Sequence, residues 1–224
     1  AASDVYKRQF PRIKGHIFFY FQSLWSIYFE STYFVVKFYV WSLLMPHIKP
    51  EGSFVALITP FNNDGSVDIE GFRTLLDFHQ ENGTRAVLIM GSTGEVSMLS
   101  TDERKYILEE TMKFHNGRML FYYGCTGQNT EATKDFIQHA GIHGADGAII
   151  AAPAYICASN ADIVDFCLEI ADASNIPIGF YNNPPRVKTD LTTSDILKLA
   201  DHENIVVLKA VSYTHLTLPT TYGV

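Results

Sequence analysis

The sequence has little positive charge and little cysteine. Its 224 residues include 17 Lys+Arg against 24 Asp+Glu, a formal net charge of −7. An acidic surface repels phosphate groups, which argues against nucleic acid and anionic membranes as partners and favours a small molecule or another protein. The three cysteines are odd in number and lack Cys-x-x-Cys spacing. Because Cys125, Cys157 and Cys167 lie in apolar patterns, we expect reduced core thiols in a cytoplasmic protein.

Several catalytic motifs are also missing. The chain has no Gly-x-x-x-x-Gly-Lys-Ser/Thr loop for nucleotide phosphates, no His-Glu-x-x-His for zinc and no Gly-x-Ser-x-Gly for a serine hydrolase. Its eight histidines are scattered. His139 and His143 are four residues apart and could share a helix face. A surface pair of this kind without a nearby carboxylate is ordinarily solvated, so we expect no metal site.

Tryptophan is absent after residue 44, and both tryptophans lie in an aromatic-rich stretch at 10–44. This stretch is long and apolar enough to span a bilayer, for which about 20 residues suffice, so a membrane-tethered module is one hypothesis. Against it, Glu30 and Lys37 would each cost about 2.5 to 3.5 kcal/mol in mid-span. Phe, Tyr, Ile and Lys are also what AT-rich non-coding DNA yields when translated. We therefore expect Met45 to be the true start and 10–44 to be a leader outside the native coding sequence.

The two ends of the chain resemble translations of the two opposite strands of one DNA sequence. Residues 1–9 are similar to the translation of a transposon-derived sequencing adapter, and residues 211–220 to the translation of its reverse complement. We expect an adapter-like segment at 1–9, a single domain at 45–210 and an adapter-like tail at 211–224. The tail would cut the domain one residue after Lys209.

Short apolar runs alternate with amphipathic ones from Phe54 onward, which predicts strands alternating with helices. The predicted strands are Phe54–Ile58, Ala86–Met90, Met119–Gly124, Gly147–Ala151, Ile178–Tyr181 and Ile205–Leu208. The predicted helices are Asp68–Glu81, Thr101–His115, Asn129–His143, Asn160–Ala173 and Thr192–Ala200. Helix starts are indicated by Ser100 or Thr101, by Asn129 and Thr130, and by the run that begins at Thr193.

Strands that are apolar on both faces and separated by helices form a parallel sheet. Six such units in succession favour an α/β fold of the (β/α)8 TIM-barrel class, incomplete here by about two units. An open doubly wound sheet is the alternative, although its Gly-x-Gly-x-x-Gly after the first strand is missing.

Polar residues gather where the predicted strands end, which is the face that carries chemistry in parallel β/α folds. After the second strand comes Gly91–Glu95, "GSTGE", whose glycines let backbone N–H groups approach an anion, unless it is an ordinary turn. Tyr155, Tyr181 and Arg186 follow later strands, with rim packing or solvation as the alternatives. Lys209 ends the apolar run "IVVL"; burial there would lower its pKa and favour a nucleophilic amine, with a structural lysine as the alternative.

Residues 52–209 resemble the dihydrodipicolinate synthase and N-acetylneuraminate lyase family of pyruvate-dependent aldolases, through "ALITPF", "GSTGE", "YNNPPR" and the strand lysine. The resemblance implies a (β/α)8 barrel, usually a homotetramer, that uses a lysine–pyruvate imine and needs no separate cofactor. It implies Lys209 as the imine-forming nucleophile and Tyr181 as the general acid/base. It implies that Ser92 and Thr93, with Gly91 and Gly94 around them, hold the pyruvate carboxylate, and that one hydroxyl passes protons.

The same resemblance implies that Tyr155 reaches a neighbouring subunit's relay and that Arg186 binds the carboxylate of the aldehyde. An arginine at the position of Arg186 is typical of the synthases, whereas a serine at the position of Ser92 is typical of the lyases. Ala154 stands where the family has a tyrosine. Condensation of pyruvate with aspartate semialdehyde in lysine biosynthesis is the leading interpretation. An N-acetylneuraminate lyase or another 2-oxo acid aldolase or dehydratase is the alternative within the family. From another class, the chain as written could be an inactive fragment or the membrane-tethered module.

Overall fold

The computed structural model describes residues 51–211. The predicted segments at 1–9 and 10–44, the Met45 start and the tail beyond Val211 lie outside these residues. Six strands are present: β1 Phe54–Ala56, β2 Ala86–Ile89, β3 Leu120–Gly124, β4 Gly147–Ala151, β5 Ile178–Asn182 and β6 Ile205–Ala210. Six α-helices accompany them: α1 Ile69–Glu81, α2 Thr101–Met112, α3 Thr130–Ile142, α4 Asn160–Ala173, α5 Pro184–Val187 and α6 Thr193–Ala200.

The six strands form one parallel sheet in the order β1-β2-β3-β4-β5-β6. Strands that follow one another in space as they do in sequence are the mark of a barrel, because a doubly wound sheet reverses its strand order in the middle. The half-barrel prediction is therefore confirmed, and the doubly wound alternative is wrong.

Helix starts follow the predicted capping signals with one exception. Ser100 caps α2 in a reciprocal capping box with Glu103, and the Asn129 side chain accepts a hydrogen bond from Ala132 N at the start of α3. The third N-cap is Thr192, one residue before the predicted capping run, and it forms a capping box with Asp195. A hydroxyl and a carboxylate three residues apart satisfy two otherwise unpaired N–H groups.

Each face of the sheet buries a different set of side chains. The main core lies between the sheet and the helices, and a smaller cluster of Leu88, Tyr122 and Ile149 lies on the concave face. Two glycines make room there: a Cβ on Gly147 would overlap the Tyr122 ring, and one on Gly179 would overlap Ile149. The interior of a small barrel is filled in this way, by large side chains that pack against glycines on the neighbouring strands.

Two of the three cysteines lie where the sequence predicted. Cys125 and Cys167 are buried free thiols, whereas Cys157 is free but exposed, so its assignment to the core was wrong. The physical reason is local: Tyr155 and Cys157 both have left-handed backbones, with φ of 77° and 52°, so Cys157 belongs to an exposed loop and does not continue the buried strand before it. Within residues 51–211, no helix is long and apolar enough to cross a membrane.

Candidate active site

Lys209 and Tyr181 meet at the carboxyl ends of the last two strands. They are direct register partners across β5 and β6, and Ala151 of β4 stands in the same row. The Lys209 Nζ lies 4.3 Å from the centroid of the Tyr181 ring. A cation above an aromatic face is attracted by the ring's negative centre. The sheet register therefore places an amine beside a phenol at the mouth of the half-barrel, as the sequence predicted.

Partial burial makes the protonated form of Lys209 easier to deprotonate than that of an exposed lysine. Burial lowers the pKa of Lys209, because an ammonium group loses hydration between the strands. Among residues 51–211, Lys209 forms no ion pair with a carboxylate that would oppose this effect. A lysine that gives up its proton more readily is a better nucleophile toward a carbonyl carbon.

The loop after β2 presents free backbone donors. Gly94 N, Glu95 N and Val96 N donate hydrogen bonds back into the loop, whereas the N–H groups of Ser92 and Thr93 bond to no described residue. Both side chains are exposed. Consecutive unbonded N–H groups in a tight turn form a concavity that suits a carboxylate or another small anion.

Contacts to the segment that follows β1 hold this loop in place. Thr59 is buried, and its Oγ1 donates a 2.6 Å hydrogen bond to the Gly94 carbonyl. A Cβ on Gly94 would lie only 3.1 Å from the Leu57 carbonyl oxygen, so glycine permits the close approach. Thr59 is thus a positioning residue, a role that the sequence did not assign to it. Its position at the end of the first strand was the available signal.

Buried hydrogen bonds hold the loop after β5, and Arg186 is exposed at its surface. Asn182, only 2% exposed, donates a 2.8 Å hydrogen bond from Nδ2 to Asp190 Oδ1 and accepts one from Leu191 N. The short helix α5 begins after Asn183 and carries Arg186, which is exposed. Two prolines occupy the first positions of this helix, where their missing N–H groups cost nothing.

Tyr155 lies in the loop after β4, and its side chain is 98% exposed. Among the described residues, no hydrogen bond or ion pair joins any of the other predicted site residues to the Lys209–Tyr181 pair. The structure therefore brings together the amine and the phenol, and arranges the anion loop, Arg186 and Tyr155 separately around the same carboxyl-terminal rim.

Fold and site define a class: this is an α/β protein of the TIM-barrel type with its polar groups on the face where such barrels carry their active sites. Comparison with known proteins narrows the class. Residues 49–219, more than half of the chain, match the model of the dihydrodipicolinate synthetase family. The chain belongs to that family.

Individual relatives agree with this assignment. The 4-hydroxy-tetrahydrodipicolinate synthase of Oenococcus oeni is 38% identical over 155 residues, which are 69% of this chain and 53% of that protein. The chloride-inhibited dihydrodipicolinate synthase of Acinetobacter baumannii, solved in complex with pyruvate, is 31% identical with a TM-score of 0.71, covering 74% of this chain and 57% of that one. A sialic acid aldolase of Ruminococcus gnavus is 25% identical with a TM-score of 0.68, covering 73% and 55%. The chain spans about half the length of the curated relatives it matches.

Proposed function

We propose that the whole protein is a pyruvate-dependent lyase that condenses pyruvate with aspartate semialdehyde through a Lys209 imine, as in lysine biosynthesis. The observation that carries the proposal is the half-buried Lys209 amine 4.3 Å from the centre of the Tyr181 ring, at the carboxyl end of a parallel β/α sheet. The names of the relatives support the reaction, and the pyruvate complex of the Acinetobacter baumannii relative supports the first substrate.

The chemistry begins with the neutral Lys209 amine. It attacks the keto carbon of pyruvate to give a carbinolamine, which loses water to form the protonated imine. The imine nitrogen then draws electrons from the neighbouring methyl group, so that loss of one proton gives an enamine. The enamine carbon attacks the aldehyde carbon, and the aldehyde oxygen takes up a proton. Addition of water to the regenerated imine then releases the condensed product and the Lys209 amine. The iminium itself is the electron sink, and the reaction needs no metal or organic cofactor for this step.

Tyr181 would move the protons of these steps. The 4.3 Å distance from the Lys209 Nζ to the centroid of its ring supports this role. A positioned acid/base contributes roughly 10²- to 10⁴-fold in rate. The unbonded N–H groups of Ser92 and Thr93 would hold the pyruvate carboxylate, with Gly91 and Gly94 allowing the close approach, and Ser92 Oγ would relay protons to Tyr181.

Arg186 and Tyr155 would act outside the lysine–tyrosine pair. The exposed Arg186 guanidinium suits a carboxylate on the second substrate, which is why we prefer aspartate semialdehyde. A sialic acid substrate is the second candidate, supported by the structural likeness to the Ruminococcus gnavus aldolase. Tyr155, 98% exposed, would be covered in a homo-oligomer, with a homotetramer as the form we propose. Three free cysteines support a reducing, cytoplasmic location.

Substrate choice is tested by steady-state kinetics with both candidate substrates. We expect condensation of pyruvate with aspartate semialdehyde and no cleavage of N-acetylneuraminate. Arg186→Gln should raise the KM for the aldehyde by about 10- to 100-fold, because a charged hydrogen bond is worth roughly 1.5 to 3 kcal/mol. Lys188→Gln, in the same loop, is the matched control and should leave the KM unchanged. Faster cleavage of N-acetylneuraminate, or an equal effect of Lys188→Gln, would contradict the assignment.

A further inference from the structure

Glu109, His139 and His143 form a cluster on the outer, helical layer of the half-barrel. Glu109 belongs to α2, His139 to the last turn of α3, and His143 is the C-cap of α3. The two histidine rings lie 4.3 Å apart between centroids, and the Glu109 Oε1 lies 3.0 Å from the His139 Nε2. The sequence showed the histidine pair but no carboxylate. The structure supplies one from the neighbouring helix, so the expectation of a pair without a carboxylate was wrong.

Each member of this cluster has a donor atom available for a metal. The His139 Nε2 is buried and makes no aligned hydrogen bond to any described residue, despite its short distance to Glu109. The His143 Nδ1 lies 2.9 Å from the His139 carbonyl oxygen. A carbonyl only accepts, so this nitrogen carries a proton, and in the neutral imidazole the His143 Nε2 then has a free lone pair. A backbone carbonyl that fixes the tautomer in this way is typical of metal-binding histidines.

The spacing of the three donor atoms suits a small, borderline-soft ion. One ligand atom from each residue lies within 4.8 Å of the others. A tetrahedral Zn²⁺ with bonds of about 2.0 to 2.1 Å holds its ligands about 3.3 Å apart. The remaining movement is available from rotation of side chains, because His143 is exposed and Glu109 is only half-buried. Two imidazoles and one carboxylate are donors that Zn²⁺ accepts, whereas Ca²⁺ and Mg²⁺ prefer oxygen alone.

We propose that Glu109, His139 and His143 bind a divalent ion of the zinc type that ties α2 to α3. Three protein ligands leave a fourth position for water, and a depression of about 380 Å³ lined by Glu109, Lys113 and His143 opens beside it. Lys113 is paired with Glu110, so its positive charge is largely compensated. The cluster lies on the helical layer and is separate from the lysine chemistry, so the proposal does not depend on the proposed function.

Zinc titration of the purified 224-residue chain against a chromogenic chelator tests the site. We expect one equivalent of Zn²⁺ to bind tightly, with Glu109, His139 and His143 as its ligands. His143→Gln and Glu109→Gln should each weaken binding of that equivalent by at least about tenfold, since even changes in the residues that only support metal ligands cost 10- to 100-fold. The matched control is His202→Gln, because His202 also faces a carboxylate, Asp172 at 3.0 Å, but has no second histidine.

A second readout separates binding from folding. The thermal midpoint of the unsubstituted chain and of His202→Gln should rise with added Zn²⁺, and that of His143→Gln should not, while far-UV circular dichroism is the same for all variants without metal. Absence of a tight equivalent would overturn the proposal. So would a zinc affinity that is unchanged in both His143→Gln and Glu109→Gln, which would place the ion elsewhere, or an equal loss in His202→Gln.

Discussion

Two adjacent buried tyrosines should respond oppositely to removal of their hydroxyl groups. Tyr122 and Tyr123 are both 0% exposed, on opposite faces of β3. The Tyr123 hydroxyl lies 2.8 Å from Thr111 Oγ1, which itself donates to the Ile107 carbonyl. The Tyr122 hydroxyl has no hydrogen-bond partner among the described residues. Burial raises the pKa of Tyr122 to about 12, so its proton stays in place without an acceptor.

The magnitudes follow from this difference. A buried polar group without a partner costs about 1 to 3 kcal/mol, so Tyr122→Phe should raise the free energy of unfolding by about that amount. Tyr123→Phe loses a satisfied bond and should lower the free energy of unfolding by about 1 kcal/mol. The two variants remove the same atom from neighbouring positions and should therefore differ by about 2 to 4 kcal/mol.

Urea unfolding followed by far-UV circular dichroism measures both variants on the 224-residue chain. The dependence on denaturant should be unchanged, because each substitution exposes the same surface on unfolding. If Tyr122→Phe proved as destabilising as Tyr123→Phe, the Tyr122 hydroxyl would have a partner, and our description of the concave face would be wrong.

Three further changes test the packing, the caps and the charges. Gly147→Ala should lower the free energy of unfolding by about 1 to 3 kcal/mol, because the added methyl overlaps the Tyr122 ring. An unchanged free energy of unfolding would refute this close packing. Ser159→Ala removes the capping box of α4 and should cost about 1 kcal/mol in the same assay; stability equal to that of the unsubstituted chain would show that the box is unimportant. Contact with Asp146 at 2.9 Å raises the pKa of His115, so the pair stabilises the fold below about pH 6.5 and this stabilisation is lost as pH rises through the folded pKa. His115→Gln should therefore lower the free energy of unfolding more at pH 5.5 than at pH 9. A loss that is the same at both pH values would argue against the pair.

Much of the fold was predictable because it depends on local patterns. Alternating apolar runs indicate strands and helices, and the Ser100 and Asn129 caps mark two helix starts through side chains only a few residues away. Helix ends were less predictable. The helix predicted to His115 ends at Met112, where the chain turns toward Gly117, which has a φ of 75°. Several residues before a left-handed glycine can belong to either the helix or the turn.

The candidate site was predictable where one strand fixes one side chain. Lys209 follows the apolar residues of β6, and the parallel register places it beside Tyr181. Contacts between distant elements were not predictable from one sequence. The Thr59–Gly94 hydrogen bond joins residues 35 apart, and the Glu109–His139 contact joins two helices. Cys157 was misplaced because its apolar neighbours resemble a core segment, while its exposure depends on backbone angles.

The central claim is that Lys209 forms an imine with pyruvate. Incubation with pyruvate and sodium borohydride, followed by peptide mass spectrometry, tests it most directly. We predict one reduced pyruvyl group on Lys209 and no such group at that position in Lys209→Arg. The pH midpoint of labelling should lie below the ordinary lysine pKa of about 10.4, because burial lowers the pKa of Lys209. An unmodified Lys209, or labelling spread equally over exposed lysines such as Lys188 and Lys198, would contradict the account.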